Sequence, residues 1–211
     1  MKNERSFSFG EQMPKLSDLQ QDERRARILD AAERCFARAG FHRTTMQDIC
    51  KDAGISPGAL YIWFPSKEAL IAGISARNRD EVLASFSALA DSQDFAAGMA
   101  QVMQTCILNQ PQHKSVLCLE IGAEATRNPA VAETLARFDE TVSAALTELV
   151  EKAEREGRIK TNMPTKELAQ AMHVIADGLF WRRAVQPDFD AASAGRALLA
   201  LVTGALSETP R

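Results

Sequence analysis

Little in this chain is equipped for covalent or metal chemistry. Its three histidines, His42, His113 and His173, are far apart and suggest no metal cluster. It has no Gly-rich phosphate loop, no nucleophile elbow and no HExxH helix, so no catalytic residue is expected. A triad assembled only by the fold is the minor alternative. Cys35, Cys50, Cys106 and Cys118 lack CxxC spacing, which speaks against a zinc site and against a disulfide framework. Cys35 and Cys50 read as small buried hydrophobes. Cys106 and Cys118 are open to redox pairing, the less favoured reading for thiols kept reduced. No apolar stretch is long enough to span a bilayer, and no signal peptide opens the sequence. The expectation is a cytoplasmic protein with no membrane partner and no cofactor.

Strand-like alternation is also missing, whereas Ala, Leu, Glu and Arg recur at helical spacing. With 211 residues, 45% of them hydrophobic and 25% charged, the chain is long enough for one or two domains with a real core. The pattern predicts an all-α fold of about nine helices. The first spans Asp22 to Ala39, with Ile28, Leu29, Ala32, Cys35 and Phe36 on one face. Two short helices follow, then a long one from Lys67 with Leu70, Ile74, Val82, Leu83 and Phe86 inward. Later helices are expected over 95–109, 114–127, 129–156, 165–185 and 191–207, separated by proline, asparagine and glycine breaks. Residues 1–21 are polar and are expected to form a disordered arm.

Residues 40–68, GFHRTTMQDICKDAGISPGALYIWFPSKE, are the most informative. Thr44 suits the cap of a helix over 46–53, with Gln47 reaching back from N3. Gly54 sits where a helix ends in the left-handed conformation. Ser56 is a natural N-cap and Pro57 suits the first helical position of a two-turn helix over 57–64. Two such helices across a three-residue turn form a helix-turn-helix, whose second helix enters the DNA major groove. Ser56, Pro57, Gly58 and Ala59 open that helix and would face base edges. All are small, so thymine methyls, backbone approach and DNA shape are the expected means of reading. Gly58 is either a groove-facing or a packing glycine.

The net charge of −3 conceals an asymmetry. From Arg24 to Lys67 eight cations (Arg24, Arg25, Arg27, Arg34, Arg38, Arg43, Lys51, Lys67) face four acids (Asp30, Glu33, Asp48, Asp52), a local +4 that leaves −7 elsewhere. A local positive face is sufficient for phosphate binding. Arg24, Arg25 and Arg27 either touch the DNA backbone or are simply solvated.

The pattern Gly40-Phe41, Thr44-Thr45, Ile49, Ala53-Gly54-Ile55-Ser56, Gly58, Leu60-Tyr61, Phe64, Lys67-Glu68 and Leu70 resembles the TetR family of bacterial transcriptional regulators. The resemblance covers roughly residues 23–74. It implies a DNA-binding domain over 22–68 and a ligand-binding and dimerisation domain over 69–211. It implies phosphate contacts from Thr44, Thr45, Tyr61 and Lys67, with a further contact from Trp63, where the family more often has histidine or tyrosine. It also implies a homodimeric repressor, released from a palindromic double-stranded operator when a small-molecule inducer fills a pocket in the larger domain.

For that pocket, Phe86, Met99, Met103, Cys106, Leu117, Ile121, Phe138, Met172, Phe180 and Trp181 are the apolar candidates; the same residues would serve equally as helical core. His173, Asp177 and Trp181 fall at i, i+4 and i+8, and Glu120 and Glu124 share a face of another helix. These polar groups either hold the polar end of an amphipathic or aromatic inducer or are satisfied within the protein. The last two helices, LAQAMHVIADGLFWRRAV and AASAGRALLALVTGAL, are apolar or small-residue-rich nearly all round. They suit a four-helix bundle between two subunits, or else the core of one. The alternatives to a repressor are an activator, a nonspecific architectural DNA binder and, least favoured, a small-molecule-binding enzyme with a vestigial helix-turn-helix.

Overall fold

In the computed structural model, residues 18–208 are described; most of the expected N-terminal arm, residues 1–17, lies outside them. Nine α-helices run in chain order among the described residues: α1 Asp18–Ala39, α2 Met46–Ala53, α3 Pro57–Trp63, α4 Lys67–Ala90, α5 Phe95–Met103, α6 Gln112–Ala125, α7 Pro129–Arg155, α8 Thr165–Val185 and α9 Ala191–Ala205. The fold is all-α. Two three-residue strands, β1 Ile159–Thr161 and β2 Leu206–Glu208, pair antiparallel with Ile159 opposite Glu208, and at that length they leave no alternation to read. They also end α9 two residues before the expected Ser207.

Three further boundaries differ from expectation. α1 starts at Asp18 because a polar first turn carries no apolar stripe. The segment expected as one helix over 95–109 changes at Gln104 into a π-helical turn, Gln104–Leu108. The carbonyls of Ile107 and Gln110 at its end accept hydrogen bonds from the Arg183 guanidinium on α8. The cap of α2 is Thr45, not Thr44: Thr45 Oγ1 accepts from the Asp48 amide at 3.1 Å, and Asp48 accepts from the Thr45 amide at 2.9 Å. Asp48, rather than Gln47, therefore closes the capping box.

Glycines end the early helices in the left-handed region, Gly40 at φ 79° and Gly54 at φ 66°. Pro57 then opens α3 behind the Ser56 cap, and Ser66 caps α4. The first core gathers Ile28, Leu29 and Phe36 of α1, Ile49 of α2, Leu60 of α3 and Leu70, Ile71 and Ile74 of α4. It also takes in Leu117 and Ile121 of α6. A methyl group at Gly73 would lie 2.8 Å from the Phe64 ring and 2.9 Å from Leu29, so α4 passes closely over α1 and the end of α3. A second core, with Phe86, Met99, Val142, Leu146, Leu149 and Met172, joins α4, α5, α7 and α8. α6 packs on α1 as well as on α7 and α8, so it touches both bodies. No described helix is long and apolar enough to cross a membrane.

Candidate nucleic-acid interface

The two turns of α3 have one buried and one bare side. Leu60 is fully buried, Phe64 nearly so, and Trp63 and Ala59 are half-covered. At 100° per residue, the opposite side carries Gly58 and Ile62, flanked by the exposed Tyr61 on one side and the half-covered Ala59 on the other. Ile62 is 84% exposed and Tyr61 52%. A methyl group built on Gly58 meets nothing within 4 Å, so packing does not explain this glycine. Gly58 is the second residue of the first turn of α3, where glycine still gives up backbone freedom that alanine would not, and nothing in the subunit requires it.

Around this face the sequence-predicted residues divide. Ser56, Pro57, Gly58, Tyr61 and Thr45 are exposed, and Ala59 is half-buried. Thr44 is buried: its hydroxyl reaches the carbonyls of Cys35 at 3.0 Å and Gly40 at 2.8 Å, closing the turn after α1. That side chain is not available to a phosphate. Lys67 is also engaged, its ammonium 2.5 Å from the Phe41 carbonyl and 4.3 Å above the Phe41 ring, tying the start of α4 to the 41–42 turn. Trp63 leans into the core rather than standing clear of it. Ile62 was not foreseen, because an apolar residue in a short helix reads as core. The available signal is geometric: Leu60 and Phe64 are both buried, and Ile62 lies midway between them on the other side.

Only part of the local positive charge is free. Arg34 and Arg38 pair with Asp52 across α1 and α2. The Arg25 guanidinium lies 5.8 Å over the Phe64 ring. Arg27, Arg43 and Lys51 are exposed, although Arg43 Nε donates to the Ala39 carbonyl. The two hydrogen bonds from Thr45 hold the Asp48 carboxyl below its ordinary range.

Glu120 and Glu124, expected as possible ligand contacts, lie instead at the joint between α6 and the first three helices. Glu124, 2% exposed, accepts from Arg127 Nε at 2.9 Å and lies 2.8 Å from His42 Nε2. Burial pushes its carboxyl up, but the hydrogen bonds of Arg127 and Asn128 and the charge of His42 outweigh burial and hold it below the ordinary range. Glu120 Oε2 accepts from the Phe41 amide at 3.4 Å, and a methyl at Gly40 would approach it to 3.1 Å. Asn128 donates to Glu68 at 3.2 Å. Deeper in the joint, Arg77 of α4 binds Asp30 at 2.7 Å and the buried Glu33 at 2.6 Å. Glu120 and Glu124 are thus satisfied within the protein, by Arg127 three residues on and by the 41–42 turn, the second of the two outcomes that the sequence leaves open.

The apolar ligand candidates do not line one space. Leu117 and Ile121 belong to the first core, a correction that follows from α6 packing on α1. Phe86, Met99, Met172 and the half-buried Phe138 belong to the second. Cys106 Sγ lies 3.4 Å from Ser85 Oγ, and Met103 Sδ would be 3.0 Å from a methyl at Gly195 on α9. Phe180 is half-buried, while Trp181 is 48% exposed with Arg182 5.3 Å over its ring. His173 is satisfied inside the chain: Nδ1 is 2.9 Å from Ser143 Oγ and Nε2 3.6 Å from Asp139. Burial raises the carboxyls of Asp139 and Asp177 beside it, and His173 only partly opposes this. An open cleft of about 550 Å³ runs between α4 and α5, lined by Ala84, Ser85, Ala88, Gly98, Gln101 and Thr105 among others, none of them a sequence candidate.

α8 leaves a second apolar stripe bare, with Ala171, Val174, Gly178, Trp181 and Val185 at three- and four-residue steps. Val174 is 64% exposed, and Leu201 on α9 is 70% exposed. Gly178 and Gly204, like Gly58, have nothing within 4 Å of an added methyl.

The profile described as "Bacterial regulatory proteins, tetR family" matches residues 28–74, and that described as "BetI-type transcriptional repressor, C-terminal" matches residues 99–207. The HTH-type transcriptional regulator UidR of Escherichia coli K12 is 31% identical over 183 residues, 87% of this chain and 93% of its own length. Among solved structures, Salmonella enterica GusR superposes with a TM-score of 0.70 at 32% identity, covering 86% of this chain and 94% of that one. The transcriptional regulator FadR from Bacillus subtilis, solved in complex with stearoyl-CoA, shares the fold at a TM-score of 0.73 and 16% identity, covering 86% of this chain and 99% of that one.

Proposed function

The chain belongs to the TetR family of bacterial regulatory proteins, a helix-turn-helix regulator of transcription, and from this premise we propose that it works as a homodimeric repressor released by a small molecule. The observation that carries the DNA side is the bare face of α3, where Gly58 and Ile62 stand clear of the subunit among exposed Tyr61, Thr45 and Lys51. Tyr61 and the first-turn amides of α2 left open by the Thr45–Asp48 capping box are suited to phosphate oxygens, and the open backbone at Gly58 to close approach in the groove; Thr45 reaches a phosphate only if its hydroxyl leaves Asp48. The stripe on α8 and α9 would meet its own copy about a twofold axis, so two recognition helices would face half-sites of a palindrome in successive major grooves.

The proposed inducer is a small amphipathic or aromatic molecule taken up beside the second core, where methionine and phenylalanine side chains adapt to varied shapes. Its effect reaches DNA through α6, which packs on α7 and α8 at one side and holds the 40–42 turn through Glu120 and Glu124 at the other. A shift of α6 changes the orientation of α1 to α3, and a coupling of about 1–3 kcal/mol is typical of such linkage. Fluorescence anisotropy on the chain's own upstream DNA against scrambled DNA, across a salt series, tests the reading. Preference for the upstream fragment with a steep salt dependence is the expected result; equal, weak binding to both opposes self-regulation by this chain.

A further inference from the structure

α3 has the sequence Pro57-Gly58-Ala59-Leu60-Tyr61-Ile62-Trp63. Its side chains include no Asn, Gln, Arg, Lys, Asp, Glu or His, the residues that pair with base edges through hydrogen bonds. The polar side-chain atoms on the helix itself are the Tyr61 hydroxyl and the indole N–H of the half-buried Trp63. What α3 can offer to the floor of a major groove is therefore apolar surface. Of the bases, thymine alone displays a methyl group there. The most exposed large hydrophobic side chain on α3 is Ile62, at 84%, one turn beyond Gly58 on the same face. Gly58 leaves no Cβ to hold the helix away, so a β-branched side chain four residues on can reach the groove floor. Solvation does not favour this residue: an isolated isoleucine on a water-facing surface gains nothing from burial there.

We propose that Ile62 is a specificity-determining residue that reads the 5-methyl group of a thymine in each operator half-site. The inference rests on the regulatory reading above and gives its operator one base per half-site. It predicts that 5-methylcytosine, with a methyl at the same ring position, is tolerated at that site better than cytosine.

The test uses full-length protein and duplexes that it selects from a random-sequence pool. Each thymine of the selected consensus is replaced in turn by deoxyuridine, which removes the methyl and keeps every hydrogen-bonding group. For the wild type, one position per half-site is expected to lose about fourfold in affinity, the worth of one buried methyl group. Ile62→Ala is expected to bind the thymine duplex more weakly by a similar factor and to be indifferent to uracil at that position, while Ile62→Val retains part of the sensitivity. At this exposed position the substitutions remove no core contact, and circular dichroism checks that the variants fold. A wild type insensitive to uracil everywhere, or Ile62→Ala as sensitive as the wild type at every thymine, overturns the proposal while leaving sequence-specific binding intact. Failure to select any consensus overturns the regulatory reading itself.

Discussion

Two apolar faces are left bare on this subunit, and they differ in the partner that each suits. On α3 the face is two turns long, centred on one isoleucine and one glycine behind a capped helix start, and it lies within the Arg24–Lys67 stretch where cations outnumber acids. On α8 and α9 it is a long stripe of Val174, Trp181, Val185 and Leu201 interspersed with Ala171, Gly178 and Gly204. Both faces carry glycines that nothing in the subunit requires. A short face in the net-positive stretch of the chain suits a groove between phosphates, whereas a long face of small and large residues suits an identical helix pair. An unexplained glycine marks close approach in either case; charge and length identify what approaches.

The largest effect is expected from Val174→Asp, which places an unpaired carboxylate in the proposed seam between copies. Leaving a buried charge unpaired costs about 3–5 kcal/mol, so dimer association in sedimentation equilibrium should weaken at least a hundredfold while helicity persists. An unchanged association would remove α8 from the interface.

Next comes Glu124→Gln at the joint. Losing a charge-assisted pair at a buried site should lower unfolding free energy by about 1–3 kcal/mol in urea titration. The folded carboxyl is held below its ordinary value, so its stabilisation is complete above the ordinary carboxylate range and is lost as pH falls through the depressed folded value. The wild type should therefore destabilise on acidification below that range more steeply than Glu124→Gln. Matching pH profiles would mean that Glu124 does not hold the joint.

Gly58→Ala should have the smallest effect on stability and in the opposite direction, raising it by no more than the helix-interior value of about 0.5–1 kcal/mol, because Gly58 sits in the first turn. The same change should weaken DNA binding. Stabilisation with unaltered affinity would return Gly58 to the status of an ordinary surface glycine.

Legibility from sequence followed how local each determinant is. The turn at Gly54, the Ser56 cap, Pro57 and the Ser66 cap act within four residues, and the helices they punctuate are where the spacing puts them. The sequence places the α2 cap on Thr44 rather than Thr45 because adjacent threonines offer the same chemistry, and only the hydrogen bonds of Thr44 to Cys35 and Gly40 separate them. Lys67 looks free in sequence, yet the fold brings the Phe41 carbonyl beneath its ammonium from 26 residues away. Glu120 and Glu124 depend on contacts of α6 with residues some 80 positions earlier, beyond the reach of any periodicity. Ile62 was hidden for a different reason: residue type suggested core, and only the exposure of its face reveals otherwise.

The most direct measurement is amide hydrogen exchange of the full-length protein with and without a selected operator duplex, over a range of protein concentrations. The account predicts that DNA slows exchange from the cap of α2 through the start of α4, residues 45–67, whereas protection in α8 and α9 follows protein concentration. Slowing by DNA centred on α8 and α9, or none at α3, would contradict the assignment of the two faces.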